Sequence, residues 1–149
     1  MSAKDIYHNA CVHALEKDGW TITHDPLTIS VGKTDMLIDL GAERIVAVER
    51  NGERIAVEIK SFVEPSLIQD LNEAVGLFVL YEGALAESPK NMDRTLFLAI
   101  RDETYDDVFE EAIGQMLLRH THLRLIVFDP IEEVIIRWII ESDTARSSR

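Results

Sequence analysis

The dipeptide Asn51-Gly52 lies between two runs of alternating, β-branched residues, which we predict to be strands over 45–50 and 54–62. Asn-Gly favours a type I′ turn, and this turn closes a two-residue β-hairpin. The turn also sets the register, because residues whose numbers add up to 103 then lie opposite each other. Ile45 is therefore expected to face Glu58 at the end of the hairpin far from the turn.

Glu58 and Lys60 are two residues apart in the second of these strands. Side chains alternate along a strand, so both are expected to point from the same face, the less apolar and open face of the hairpin. A carboxylate beside an ammonium forms the Glu-x-Lys half of a two-carboxylate metal site, which an acidic residue from a neighbouring strand completes. A surface ion pair on an amphipathic strand is the alternative interpretation of the same spacing.

The acidic partner is sought in the preceding predicted strand, 33–40, where Asp35 and Asp39 share one face. If the chain continues as a meander into the hairpin, Asp39 falls in the same cross-strand row as Glu58. A bulge at Gly41 would instead bring in Asp35 or Glu43. The spacing leaves these alternatives open, together with a solvated strand face.

A length of 149 residues and a hydrophobic content of 46% predict one globular domain, which we place at 1–141, followed by a flexible tail at 142–149. No apolar run approaches the roughly 18 residues of a membrane span. The first residues lack the apolar core of a signal peptide. Cys11 is the single cysteine, and it is expected to be a buried, inert thiol. These features predict a cytoplasmic protein without a membrane.

The net charge of −12 is concentrated in the middle third of the chain, because residues 63–111 carry 3 Lys/Arg against 12 Asp/Glu. A free-standing DNA-binding protein usually has a basic face. Either nucleic acid is not the ligand, or a divalent metal ion and a more basic partner supply the missing charge.

Helical spacing predicts three helices, and alternation or buried apolar runs predict the strands around them. Pro65 is expected at the first position of the second helix, and the apolar run 77–80 predicts that this helix is buried on two sides, which favours self-association. The resulting class is α/β, with a mixed central sheet flanked by helices. The predicted helices cover 5–18, 65–86 and 105–120, and the further strands cover 20–24, 27–31, 95–100, 122–128 and 134–140.

Four segments together resemble the XisH family, which is named for a factor needed for fdxN element excision in heterocyst-forming cyanobacteria. The resemblance extends from residue 4 to about residue 140. XisH proteins are in turn similar to PD-(D/E)XK nucleases, so the resemblance implies a restriction-endonuclease-like fold. The segments are KDIYHNACVHALEKDGWTITHDPL, GKTDMLIDLGAE, IAVEIKSF and LRLIVFDPIEEVIIRWI.

The resemblance implies a set of site residues. The superfamily's metal ligands correspond to Asp35 or Asp39 and to Glu58, which would bind Mg²⁺ or Mn²⁺, and its water-positioning lysine corresponds to Lys60. The context GKTDM looks like the Gly-x-Asp of archaeal Holliday-junction resolvases and favours Asp35.

Two further positions are accessory candidates. His8 stands where the resolvases have a glutamate on the first helix. Tyr81 matches the tyrosine of the Gln-x-x-x-Tyr motif of RecB-type relatives, but Leu77 replaces the glutamine.

Two hypotheses of different classes follow. The first is a Mg²⁺-dependent DNA endonuclease, or a remnant of one, that acts in the excision of a DNA element. The second is a non-catalytic accessory subunit on a nuclease-like scaffold, which acts through a complex with XisI, the partner that the resemblance implies. A homo-oligomer or hetero-complex is expected in either case. A zinc site at His120 and His122 lacks further ligands nearby in the sequence.

Overall fold

The Asn51-Gly52 hairpin forms with the predicted register in the computed structural model of the chain, which describes residues 3–36 and 45–140, with the side chains of 6–34 and 45–140. Ile45 pairs with Glu58, and every pair from there to the turn has numbers that add up to 103. Asn51 and Gly52 have φ values of 52° and 84°, the left-handed conformation that a type I′ turn requires.

Four helices and eight strands make up the described residues. α3 continues directly into a π-helical turn at Tyr105–Phe109. The helices are α1 (Ala3–Lys17), α2 (Leu67–Ala86), α3 (Asp102–Thr104) and α4 (Ala112–His120), and the strands are β1 (Thr21–His24), β2 (Ile29–Val31), β3 (Thr34–Met36), β4 (Ile45–Arg50), β5 (Glu53–Ile59), β6 (Thr95–Arg101), β7 (Leu125–Asp129) and β8 (Val134–Ile139).

Six strands form one sheet in the order β1-β4-β5-β6-β7-β8. β5, β6 and β7 are parallel to one another, and the other neighbours are antiparallel. The predicted mixed α/β class is therefore confirmed.

The sheet separates two apolar clusters. α1 covers one face, where Cys11 and Leu15 pack against Val46 and Val57. α2, the π-helical turn and α4 cover the opposite face, which holds Ile45 and Leu98. Cys11 is buried as predicted, and burial raises the pKa of its thiol.

The predicted meander into the hairpin is wrong. β3, the described part of the predicted strand 33–40, pairs with β2 in a separate two-stranded sheet, while β4 has β1 as its other neighbour. The backbone N–H of Leu27 donates to the Ile45 carbonyl at 2.9 Å. The segment before β2 therefore lies beside Ile45, at the start of β4. The prediction that Asp39 lies in the same cross-strand row as Glu58 assumed this meander and therefore no longer has support. Asp39 itself lies outside the described residues.

α2 begins at Leu67, two residues after the predicted start, and its outer face is exposed where burial was predicted. Ser66 caps the helix by accepting a hydrogen bond from the Gln69 N–H, so Pro65 lies before the cap and not at the first helical position. Val79 and Leu80 are exposed on the single chain. The sheet covers one side of the helix. Burial of the second side by another chain stays a prediction.

The single helix predicted over 105–120 is interrupted. After the π-helical turn, Glu111 adopts an extended conformation and α4 begins at Ala112. Gly114 explains this arrangement, because a Cβ atom there would lie 2.3 Å from both the Phe109 Cα and the Val108 carbonyl oxygen. The close approach of α4 to the turn requires a residue without a side chain.

We expect Gly114→Ala to lower the free energy of unfolding by about 1–3 kcal/mol, the usual cost of overpacking a buried contact. Gly83→Ala is the matched control, because nothing lies within 4 Å of a Cβ atom at this helical position. The control is expected to raise the stability by about 0.5–1 kcal/mol. Urea unfolding of the three proteins measures both effects, and equal stability of Gly114→Ala and the parent chain would contradict the proposed close contact.

The predicted flexible tail at 142–149 and the candidate Glu43 also lie outside the described residues. Within the described part of the chain, no helix has the length and apolar character needed to cross a membrane.

Candidate functional site

Glu58 and Lys60 lie on the face of the sheet that α2 covers. Strand β5 places them there by alternation with Ala56, and the Lys60 N–H continues the pairing with β6 by donating to the Ala99 carbonyl at 3.0 Å. The exposed fraction is 0% for Glu58 and 2% for the Lys60 side chain. The predicted open face is therefore wrong, and so is the alternative of a surface ion pair, because α2 closes over both residues.

Two carboxylates from α2 approach the Lys60 ammonium. The Nζ atom is 2.8 Å from Oε1 of Glu73 and 3.4 Å from Oδ1 of Asp70. Lys60 donates a charge-assisted hydrogen bond to Glu73. The ammonium thus lies between the strand that carries it and the first turns of the helix.

Asp70 is held in place from both sides. Its side chain is 2% exposed, and Oδ2 accepts a hydrogen bond from the Glu64 N–H at 3.2 Å. Because Ser66 caps α2 close by, the loop before the helix and the helix itself fix the Asp70 carboxylate together. Glu73 is 38% exposed and lies on the solvent side of the same ammonium.

Tyr81 is buried on α2, three turns after Asp70. Burial raises the pKa of its hydroxyl, and the charges of Glu58 and Glu73 raise it further. The hydroxyl therefore stays protonated at neutral pH. The structure places this predicted accessory residue within the electrostatic reach of both carboxylates.

Three carboxylates lie near the Lys60 ammonium among the described side chains. Glu58 and Asp70 are buried, and Glu73 is 38% exposed. Carboxylates that are held close together inside a protein favour the binding of a cation, which relieves their mutual repulsion.

The second carboxylate of the predicted metal site lies at the border of the described residues. The backbone of Asp35 is described in β3, opposite Ser30, and its side chain is not. β2, the partner of β3, lies against α2, on the side of the sheet that holds Glu58. Among the described side chains, no three His, Cys, Asp or Glu residues form a group that can hold a metal ion, and this includes His120 and His122.

His8 is not brought to Lys60. Its Nε2 atom lies 2.8 Å from Oδ2 of Asp25, and α1 covers the opposite face of the sheet. The described contacts of His8 therefore join α1 to the end of β1.

Reasoning from the sequence missed Asp70 and Glu73. Asp70 falls within the apolar stripe of α2, between Leu67 and Ala74, where an acidic residue needs a buried partner. That mismatch is the signal that could have identified Asp70. Glu73 carries no such signal, because a half-exposed glutamate on a helix is ordinary.

A cavity of about 230 Å³ opens beside Asp70. The Arg101 guanidinium lies at this cavity, where it donates to the Ser61 carbonyl at 2.7 Å and stacks on the Tyr7 ring at 4.3 Å. The carboxyl ends of β5 and β6 thus carry two cations, Lys60 and Arg101, on adjacent strands.

The XisH protein family model matches residues 1–136 of this chain. The chain belongs to the XisH family. The resemblance found in the sequence is thereby confirmed over nearly the whole length of this XisH-family chain. A comparison with curated proteins finds no match.

Two crystal structures resemble this XisH-family chain closely. The XisH family protein from Nostoc punctiforme PCC 73102 is 39% identical, with a TM-score of 0.82, and the match covers 91% of this chain and 99% of that one. The fdxN element excision controlling factor protein from Anabaena variabilis is also 39% identical, with a TM-score of 0.81 and coverage of 91% and 98%.

Proposed function

We propose that this chain controls the excision of a DNA element of the fdxN type and carries a Mg²⁺-dependent, nuclease-type site at Glu58 and Lys60. The description of the Anabaena variabilis neighbour as an fdxN element excision controlling factor supports the first part. The second part extends the site residues that the family resemblance implies. The proposed setting is the cytoplasm.

The burial of the Glu-x-Lys pair is the observation that carries the proposed site. Removing a carboxylate and an ammonium from water costs several kcal/mol per ion, even after relaxation of the protein. Strand residues on a face covered by a helix are ordinarily apolar. Glu58 and Lys60 lie on such a face, with Asp70 and Glu73 opposite. This polar cluster lowers the stability of the fold, and clusters of this kind are typical of functional sites.

The donor set fits a hard divalent cation. Mg²⁺ prefers carboxylate oxygens and keeps several of its waters, so Glu58 and one further carboxylate, Asp35 or Asp39, suffice as protein ligands. The carboxylates of Asp70 and Glu73 beside Lys60, with Glu58 on the same face of the sheet, favour such an ion. A bound Mg²⁺ supplies polarisation of the phosphate and a water of lowered pKa.

The remaining chemistry belongs to the chain's own residues. The Lys60 ammonium would offset the negative charge that develops on the phosphate oxygens in the transition state. Tyr81, buried on α2, keeps a protonated hydroxyl whose pKa the charge of Glu58 raises. Arg101 adds a second cation at the carboxyl end of the neighbouring strand.

The alternative function is that of a non-catalytic accessory subunit in a complex with an XisI-type protein. Two observations favour it: the Lys60 ammonium is engaged by Asp70 and Glu73, and Val79 and Leu80 expose an apolar surface on α2. An apolar surface in the acidic middle third suits a protein partner, in a homo-oligomer or hetero-complex, better than free DNA.

Cleavage assays test the proposal directly. The full chain, alone and with its XisI-type partner, is incubated with duplex, branched and single-stranded DNA in Mg²⁺, in Mn²⁺ and in EDTA. We expect cleavage that requires the metal ion. Absence of cleavage on all three substrates, with and without the partner, would overturn the nuclease proposal and leave the accessory role.

A further inference from the structure

We propose that Glu73 acts as a gate on the Lys60 ammonium and occupies the position at Nζ that an oxygen of a phosphate ligand takes. The inference rests on the proposed function insofar as that ligand is a DNA phosphate. The two carboxylates that contact this ammonium differ in their exposure to solvent.

Asp70 is the fixed partner of Lys60. Its carboxylate is 2% exposed, accepts the Glu64 N–H, and lies 3.4 Å from Nζ. Glu73 is the movable partner, since it is 38% exposed and forms the closer contact at 2.8 Å. A half-exposed glutamate on a helix surface can rotate into water without any movement of the backbone.

Lys60 is buried, and Glu73 is the more exposed of its two described partners. With 2% of its side chain exposed, the ammonium offers an incoming anion almost no surface. The Glu73 carboxylate also repels a phosphate that approaches from the solvent side. Rotation of Glu73 removes the closer of the two described contacts of Nζ and takes one negative charge away from the approach.

The reactivity of individual lysines measures this gate. The full chain is acetylated briefly with acetic anhydride, and the modification of each lysine is quantified by peptide mass spectrometry, with the exposed Lys17 and Lys90 as internal references. In the parent chain, Lys60 is expected to react far more slowly than either reference. Glu73→Ala is expected to raise the Lys60 rate about tenfold, the size expected when one charge-assisted hydrogen bond is lost.

Glu82→Ala is the matched control. Glu82 lies on the same helix, is 39% exposed, and forms an equivalent ion pair with Arg124 at 2.6 Å. This variant is expected to leave the Lys60 rate unchanged. The gate is overturned if Glu73→Ala leaves Lys60 as protected as in the parent chain, or if both variants expose it equally, which would indicate a loosened helix.

The labelling result is independent of nuclease activity. If the chain cleaves DNA, Glu73→Ala is expected to lower KM for DNA, because the open ammonium is available to the phosphate, and loss of cleavage in this variant would overturn the gate. If the chain cleaves no DNA but Lys60 becomes reactive in Glu73→Ala, the gate stands and the nuclease proposal fails.

Discussion

Lys60→Met is expected to lower the free energy of unfolding by about 3–5 kcal/mol, the cost of breaking a buried ion pair by removing one partner. The methionine fills a similar volume but leaves the Asp70 carboxylate, which is 2% exposed, without the ammonium that now lies 3.4 Å away. Urea denaturation followed by circular dichroism measures the loss.

Two companion variants separate this effect from a general sensitivity to substitution. Lys90→Met removes an exposed lysine and is expected to change the stability by less than about 0.5 kcal/mol. The double variant Lys60→Met with Asp70→Leu is expected to recover much of the loss, because it removes the stranded carboxylate together with the ammonium. A Lys60→Met protein as stable as the Lys90→Met protein would contradict the buried cluster.

Glu58→Gln is expected to reduce metal-dependent DNA cleavage at least about 100-fold, since electrostatic groups of this kind each contribute that much or more. The amide keeps the shape of the carboxylate in its buried position but removes the charge that a divalent cation requires. The fold is expected to persist, because glutamine has the shape of glutamate and Lys60 keeps its contacts with Asp70 and Glu73. Single-turnover cleavage in Mg²⁺ provides the measurement.

Glu49→Gln is the control for that experiment. Glu49 belongs to the same hairpin, close to the turn, where it is partly exposed and pairs with Arg54. This variant is expected to cleave DNA like the parent chain. Equal activity of the Glu58→Gln variant and the parent chain would remove Glu58 from the site.

The sequence was sufficient wherever a local rule decides the geometry. The Asn-Gly turn permits one register, so the pairing of Ile45 with Glu58 followed from counting. Alternation along β5 then put Glu58 and Lys60 on one face. The helix over 3–17 and the strands β6 to β8 followed from periodicity in the same way.

The sequence was insufficient where distant parts of the chain compete for one position. β1, and not the predicted strand 33–40, pairs with β4, and short strands carry too little local information to choose between such edges. The burial of the Glu-x-Lys face depends on the packing of α2, which alternation cannot reveal. Asp70 interrupts the apolar stripe of α2 in the sequence, but only the structure shows that its buried partner is Lys60.

A crystal of the full chain soaked in Mn²⁺ tests the central proposal, the metal site at Glu58, most directly. The proposal predicts an anomalous difference peak within about 2.0–2.6 Å of a Glu58 carboxylate oxygen and of a carboxylate oxygen of Asp35 or Asp39. It also predicts that this peak is lost in Glu58→Gln and retained in Glu49→Gln. A fully occupied Mn²⁺ site elsewhere in the chain, with no peak at Glu58, would contradict the proposal.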